Sequence, residues 1–387
     1  MTASRKIAFL SVGRSDFGRY RPILRALAGN PGVHFRLLAS GAHWAKEFGE
    51  TWREIEANDF VVAPGLEMTL ASDTPASVGK AIGLGTLALA QDFAQNTPDL
   101  LVLLGDRYEM LCGANAALGF NLPIVHIHGG AVTEGAIDEL VRHALTKMSH
   151  IHLVSTDVYA ARVRQMGEEA WRVHTVGAPG LDELAAAAKH SRADLARTFG
   201  LAPDKPWLLV NFHPVTIQPR ETQAQIESLL DALAHFALPT VITYPNADVG
   251  SGTVIAAIEA FAARNPGWAR IVRHAGLETY ASLMAAVAAM VGNSSSGLVE
   301  APAFMLPAVN IGIRQEGKIK AANVIDCDHE KTAIVASIDR ALSDRFRRDL
   351  RGLVNPYGDG KSGPRIAGIL KSVSIDQRLL RKVFVSP

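Results

Sequence analysis

The stretch "DLLVLLGDRYEMLCGANAALGFNLPIVHIHGG", residues 99–130, decides the fold. Its first part is an unbroken apolar run closed by Gly105, too short for a helix, which reads as a strand buried on both faces. "EMLCGANAALGF" then has helical period, and "PIVHIHG" is a second short apolar run. Strand, helix and strand in this order form the repeating unit of a parallel sheet. The same alternation extends outward in both directions. Upstream lie "KIAFLSV", the helix pattern "RPILRALA" and "HFRLLAS"; downstream lie "IHLVS" and "VHTVG". The pattern then restarts at "PWLLVNFHP" and continues through "PTVITYP", "ARIVRHA", "AMVGNSS" and "PAVNIG".

Two Rossmann-like, doubly wound α/β domains facing across a cleft are therefore expected, the first over residues 1–190 and the second over 205–362. The segment "AAAAKHSRADLARTFGLAPDKP" reads as a connector ending near Lys205, and the helical pattern over 363–387 as a tail that packs back on the first domain. The chain has 387 residues, which suits two domains better than one. Lys and Arg total 39 against 38 Asp and Glu, a net charge of +1, so no global field points to nucleic acid or a membrane surface, and an anion has to be bound locally. Cys112 and Cys327 are the only cysteines, read as reduced thiols of a cytoplasmic protein. The apolar run near the N-terminus reaches Gly13 too soon for a signal sequence or a membrane span.

In open α/β sheets ligands sit beyond the carboxyl ends of the strands. Those ends are polar here: Gly13, Arg14, Ser15 and Asp16; then Asp106, Arg107 and Glu109; then His128, Gly129 and Gly130. One such cluster would be ordinary helix capping and turn chemistry, but three on one rim indicate a site. In the second half "GNSSSGLVEAP" follows a strand and opens a helix at about Gly297, where amide groups and the hydroxyls of Ser294, Ser295 and Ser296 can cradle an anion. Glu300 follows, placed to accept hydrogen bonds from a vicinal diol. His213 ends the first strand of that half, and Asn246 lies in a turn after the second. Neither G-x-G-x-x-G after the first strand nor GxxxxGK[ST] occurs, which argues against a dehydrogenase and a P-loop ATPase. His126, His128, His143, His150 and His152 lack zinc-ligand spacing, so no metal is expected. Glu134, Asp138 and Arg142 are spaced i, i+4, i+8 on one helix face, the geometry of a surface ion pair between Asp138 and Arg142.

Taken together, "GDRYEML", "HIHGGAVTEGAIDELVRHALTKMSHIH", "VGAPGLDEL", "FHPVT", "GNSSSGLVEAPAF", "VNIGIRQEGK" and "NPYGDGKSGPRI" resemble the UDP-N-acetylglucosamine 2-epimerases over nearly the whole chain. The similarity is greatest to the hydrolysing branch that releases a 2-acetamido sugar for sialic or legionaminic acid synthesis. The resemblance implies the B-type glycosyltransferase fold, a small UDP-sugar substrate, no cofactor and no metal, and the protein is expected to be a homo-oligomer, dimer or tetramer. It implies that Ser294, Ser295 and Gly297 hold the diphosphate, Glu300 the ribose, and His213 and Arg14 the phosphates. Asn246 and Arg107 then line the substrate side, Asp106, Asp138 and Arg142 lie at the sugar, and His43 lies toward its C4 and C6. The chain departs from the family where many members carry Glu, since it has His128; where others have an acid after the Gly pair it has Ala131. The base that takes the C2 proton is thus left among Asp106, Asp138, Glu134 and His128, the last suited by its free pKa near 6.5. A non-hydrolysing epimerase, another UDP-sugar hydrolase or glycosyltransferase, and a UDP-sugar sensor without turnover remain alternatives on the same fold.

Overall fold

Ile7 and Phe9 of the first strand pack with Phe17, Tyr20 and Ile23, while the intervening Ala8 and Leu10 pack with Phe93, Met110 and Cys112. Successive side chains of one strand thus enter two different cores, so both sheet faces are dry and the strand reads as a continuous apolar run. The computed structural model describes residues 4–44, 50–63, 66–68, 70, 75–133, 137–215, 218–245, 250–273 and 275–386.

The first sheet contains β1 (Arg5–Ser11), β2 (Val33–Ala39), β3 (Leu100–Leu104), β4 (Ile124–Ile127), β5 (Ile151–Val154) and β6 (Val173–Thr175). All are parallel, in the order β2-β1-β3-β4-β5-β6. The second contains β7 (Leu208–Asn211), β8 (Thr240–Thr243), β9 (Ala269–Val272), β10 (Ala289–Gly292), β11 (Ala308–Ile311) and β12 (Val324–Cys327), also parallel, in the order β12-β11-β10-β7-β8-β9. Each sheet is doubly wound, as expected. The winding reverses between β1 and β3 in one sheet and between β7 and β10 in the other, and the crevice at such a reversal is where this architecture binds ligands.

The chain separates into two units, Met1–Asp182 with Gly360–Pro387, and Glu183–Asp359. The stretch read from sequence as a connector packs within the second unit. Its helix Arg192–Phe199 carries a capping box between Ser191 and Asp194, and Arg192 donates to the Ala286 carbonyl at 2.5 Å and lies over the Trp207 ring. The second crossing of the chain is fixed by Asp182, whose carboxylate accepts from the Ser362 and Gly363 amides at 2.9 and 2.5 Å. The helix Ser362–Ser372 then packs on the helix Arg14–Leu27 of the first unit. Beyond it, fully buried Arg172 donates to the carbonyls of Arg378, Leu379 and Arg381 at 2.9–3.0 Å.

β12 is absent from the sequence reading. Only Ile325 of its four residues is buried, as befits an edge strand, so no apolar run marks it.

Candidate active site

In the first unit the polar residues beyond β3 and β4 meet on Arg142, and Asp16 beyond β1 pairs with Arg107 beyond β3. Arg142, on the helix Ile137–Met148, is 3% exposed. One guanidinium nitrogen donates to Glu139 at 2.6 Å and to the Ala131 carbonyl at 3.0 Å. The other donates to the Thr133 hydroxyl at 2.7 Å and to Asp106, just past the end of β3. The Thr133 amide in turn donates to Glu139 at 2.7 Å. A buried guanidinium needs compensation of this kind, and burial still lowers its pKa to about 10. The expected Asp138–Arg142 pair gives way to this arrangement: the i, i+3 partner Glu139 and the strand-end Asp106 take the fork. Asp138 is half-buried in the first turn of the same helix.

Beneath this cluster lie two further carboxyls. Asp16, 1% exposed, accepts from the Val12 amide at 3.1 Å and lies 4.0 Å from Arg107. Burial raises its pKa against the pull of Arg107 and Arg19. Glu109, at the start of the helix Glu109–Gly119, is 8% exposed, and one of its oxygens has no partner among the described residues. Burial raises its pKa, and the Asp16 and Asp138 carboxylates add to the shift. Both residues stand in the first turn of the helix after a strand, in segments already singled out by their polarity, but their burial could not be read from the sequence.

His128 follows β4 with φ of +69°, a left-handed conformation that disfavours a branched or bulky residue. Its Nδ1 is 2.7 Å from the Ser155 hydroxyl. Burial, with Arg19 and His126, lowers its pKa to about 3, so the ring is neutral at pH 7 and does not titrate near 6.5 as expected. Gly130, two residues on with φ of +74°, has its Cα so near Tyr159 that a Cβ would lie 2.4 Å from that carbonyl oxygen. Only glycine fits there.

His43 requires correction. It is fully buried, with Nε2 2.8 Å from the Ser11 hydroxyl and Nδ1 2.8 Å from that of Thr51, so neither ring nitrogen is offered to a sugar. Arg14 opens its helix and pairs with Glu54 at 2.8 Å, both side chains 36% exposed. Glu134 and Asn246 lie outside the described residues.

The candidate residues described in the second unit follow β7 and β10, the strands on either side of its reversal. His213 follows β7, 4% exposed; its amide donates to Asn293 Oδ1 at 2.7 Å, and Asn293 Nδ2 donates back to the His213 carbonyl at 2.8 Å. Burial and the nearby Arg314 lower the His213 pKa to about 3. Arg314, in the loop after β11, also donates to the Asn293 carbonyl at 3.2 Å. Past β10, Ser294 is half-buried and Ser295 exposed. The helix expected at Gly297 is a single turn, Ser296–Val299, followed by a 3₁₀ turn, Ala301–Phe304. The Gly297 amide is used internally by the Ser294 carbonyl at 3.2 Å, and a Cβ there would meet Ala308 Cβ at 3.3 Å. Gly297 thus serves packing against β11, and the polar surface comes from the serines and Glu300. Ser296, not Ser294 or Ser295, donates to the Glu300 carboxylate. The Ser296 hydroxyl, expected with its neighbours to face an anion, thus turns to the carboxylate four residues on. Among the described residues no group of His, Cys, Asp and Glu is arranged to hold a metal.

The family described as UDP-N-acetylglucosamine 2-epimerase matches residues 25–371. The chain belongs to the UDP-N-acetylglucosamine 2-epimerase family. Within it, the chain is 35% identical to a Legionella pneumophila UDP-N,N'-diacetylbacillosamine 2-epimerase (hydrolyzing), over 98% of each chain. It is also 35% identical to a Campylobacter jejuni GDP/UDP-N,N'-diacetylbacillosamine 2-epimerase (hydrolyzing), over 84% of this chain and 85% of that one. The fold matches that of the Neisseria meningitidis UDP-GlcNAc 2-epimerase bound to UDP-GlcNAc, with a TM-score of 0.82 at 15% identity, covering 94% and 99% of the two chains. Two doubly wound units of this kind are the B-type glycosyltransferase fold of the 2-epimerase family.

Proposed function

We propose that this protein is a hydrolysing UDP-sugar 2-epimerase acting on UDP-N,N'-diacetylbacillosamine, a 2,4-diacetamido-6-deoxy sugar nucleotide. The observation that carries the reading is the 35% identity over 98% of both chains with a relative named for that reaction. The site geometry accords with it. In the second unit the serines past β10, Glu300 and His213 follow the two strands at the sheet reversal and suit a nucleoside diphosphate; Asn246, and Arg14 and Arg107 of the first unit, are also assigned to the substrate. In the first, Asp106, Asp138 and Arg142 suit the sugar.

The reaction begins when a base removes the C2 proton. The C2–H electrons form a C1–C2 double bond as the C1–O bond breaks and UDP leaves. Water then adds to C1 of the glycal and a proton returns to C2 on the opposite face, releasing a mannose-type sugar. We assign proton removal to Asp138, because Asp106 is engaged by Arg142 whereas Asp138 stands outside that fork. Departing negative charge requires preorganised donors, the task given to the second-unit groups. His128, neutral at pH 7, contributes a hydrogen bond in place of the carboxylate many relatives carry there. The free thiols Cys112 and Cys327 accord with a cytoplasmic location, and no described helix is long and apolar enough to cross a membrane. A homo-oligomer, testable by sedimentation, and supply of a legionaminic-type acid pathway complete the reading.

Proton NMR of the reaction in D2O tests it. With UDP-N,N'-diacetylbacillosamine, free sugar of mannose configuration carrying deuterium at C2 is expected. An intact, epimerised UDP-sugar would replace this reading with a non-hydrolysing one, and faster turnover of UDP-N-acetylglucosamine would replace the substrate.

A further inference from the structure

A chain of side-chain hydrogen bonds in the second unit ends on Glu300. Asn211, the last residue of β7, donates from Nδ2 to the Tyr280 hydroxyl at 3.4 Å. Tyr280, on the helix Gly276–Ala286, donates to the Ser296 hydroxyl at 2.9 Å, and Ser296 donates to Oε2 of Glu300. The direction is forced, because the carboxylate can only accept and each hydroxyl has one proton to give. Burial, with the Glu300 charge, raises the Tyr280 pKa to about 12, so its proton stays in place. Hydrogen bonds aligned head to tail polarise one another, and those ending on an ion are the stronger kind.

We infer that Tyr280 and Asn211 are positioning residues that hold Glu300 as a reader of the ribose, so that the site selects ribonucleotides over 2′-deoxyribonucleotides. The inference rests on the proposed role of Glu300. With Oε2 fixed by Ser296, the carboxylate cannot turn freely, and Oε1 is presented in one direction. A nucleotide bearing a 2′-hydroxyl supplies a donor there. One lacking it leaves a desolvated acceptor unpaired, and sites built to bond a hydroxyl reject analogues without it for this reason. Asn211 also ties the reader to the strand end at the sheet reversal, where a Cβ on the adjoining Gly292 would lie 2.1 Å from the Asn211 carbonyl oxygen.

Calorimetric binding of UDP and 2′-deoxy-UDP to the full chain and its variants tests this. The unmodified protein is expected to prefer UDP by roughly tenfold or more. Tyr280→Phe removes the hydroxyl that accepts from Asn211 and donates to Ser296, and is expected to weaken UDP by roughly three- to tenfold while leaving 2′-deoxy-UDP unchanged, so that the preference shrinks. Equal weakening of both ligands, or neither, would overturn the inference, because a merely structural role cannot move their ratio. Glu300→Ala separates the two readings. If it leaves the preference intact, the ribose role of Glu300 is wrong; if it abolishes the preference while Tyr280→Phe does not, only the chain's role is wrong. Should Tyr280→Phe fail to fold, Ser296→Ala cuts the chain next to the carboxylate and is read in the same way.

Discussion

Arg142 brings a full charge into a position that is 3% exposed, where Asp106, Glu139, a carbonyl and a hydroxyl meet it. Replacing it with Met leaves two carboxylates without their cation, and breaking a buried pair in this way costs about 3–5 kcal/mol. A clear fall in the urea midpoint of Arg142→Met is therefore expected. Asp106 and Asp138 should separate on the same measurement. Asp106→Asn disrupts the fork and lowers both stability and turnover. Asp138→Asn leaves the fork intact, so it should lower kcat by on the order of 10²–10⁴ with an unchanged urea midpoint. Equal stability loss in both variants would contradict the partition. His128 adds a distinction in pH. Its pKa of about 3 keeps it neutral through the assay range, so His128→Gln should lower turnover without moving the acidic limb of kcat/KM. A limb near 6.5 that vanishes in the variant would restore it as the titrating base.

Every described candidate, His43 among them, lies within a few residues of a strand end or on the helix that follows it. In the second sheet the approach of β7 and β10 depends on Gly292, with φ of +144°. Gly292→Ala would put a methyl group against the Asn211 carbonyl, so it should both destabilise the second unit and abolish UDP binding by calorimetry. Retained affinity would show that the strand ends are not the binding surface. The elements themselves were legible: apolar runs such as "DLLVLLG" and "AMVGNSS" announce strands dry on both faces, and the polar residues closing them announce the rim. What the sequence could not convey was which polar partner wins. Arg142 has acids at i−3 and i−4, and helix geometry favours both; the choice of Glu139 depends on Thr133 and Asp106 arriving from other segments. His43, expected toward C4 and C6 of the sugar, has both ring nitrogens taken by Ser11 and Thr51, partners that only the fold brings to it. β12 escaped notice because an edge strand with one buried residue has no apolar run.

At the scale of the molecule, acid should be the weak side. His43, His126 and His213 are buried, and burial lowers their pKa values to about 4, 4 and 3. As pH falls below about 6.5 the unfolded chain takes up protons that the folded one refuses. Their contribution is therefore complete above about 6.5 and is lost toward pH 4, at no more than about 1.4 kcal/mol per histidine per pH unit. The raised carboxyls Asp16 and Glu109 act in the opposite sense, holding protons in the fold that the unfolded chain releases. Thermal melts should show Tm falling steadily from pH 7 to 5; a flat profile would contradict the burial of these rings. Truncation after Ser372 should be costly too, since Arg172 would lose its three carbonyl acceptors and the first unit its closing helical turn. A loss of about 3 kcal/mol or more in urea unfolding is expected.

The first unit is assembled from two stretches of chain separated by the whole of Glu183–Asp359. A ribosome making it at roughly 5–20 residues per second therefore delivers the nascent first sheet, with its apolar floor under Pro22 and Ile23 uncovered, well before the helix that shields it. The second unit, continuous in the chain, can finish while the first still waits. During those seconds the sheet's open face is the part of the protein most exposed to chaperones and to pairing with a neighbouring nascent chain. Newly made protein should owe its yield to how fast the last segment arrives.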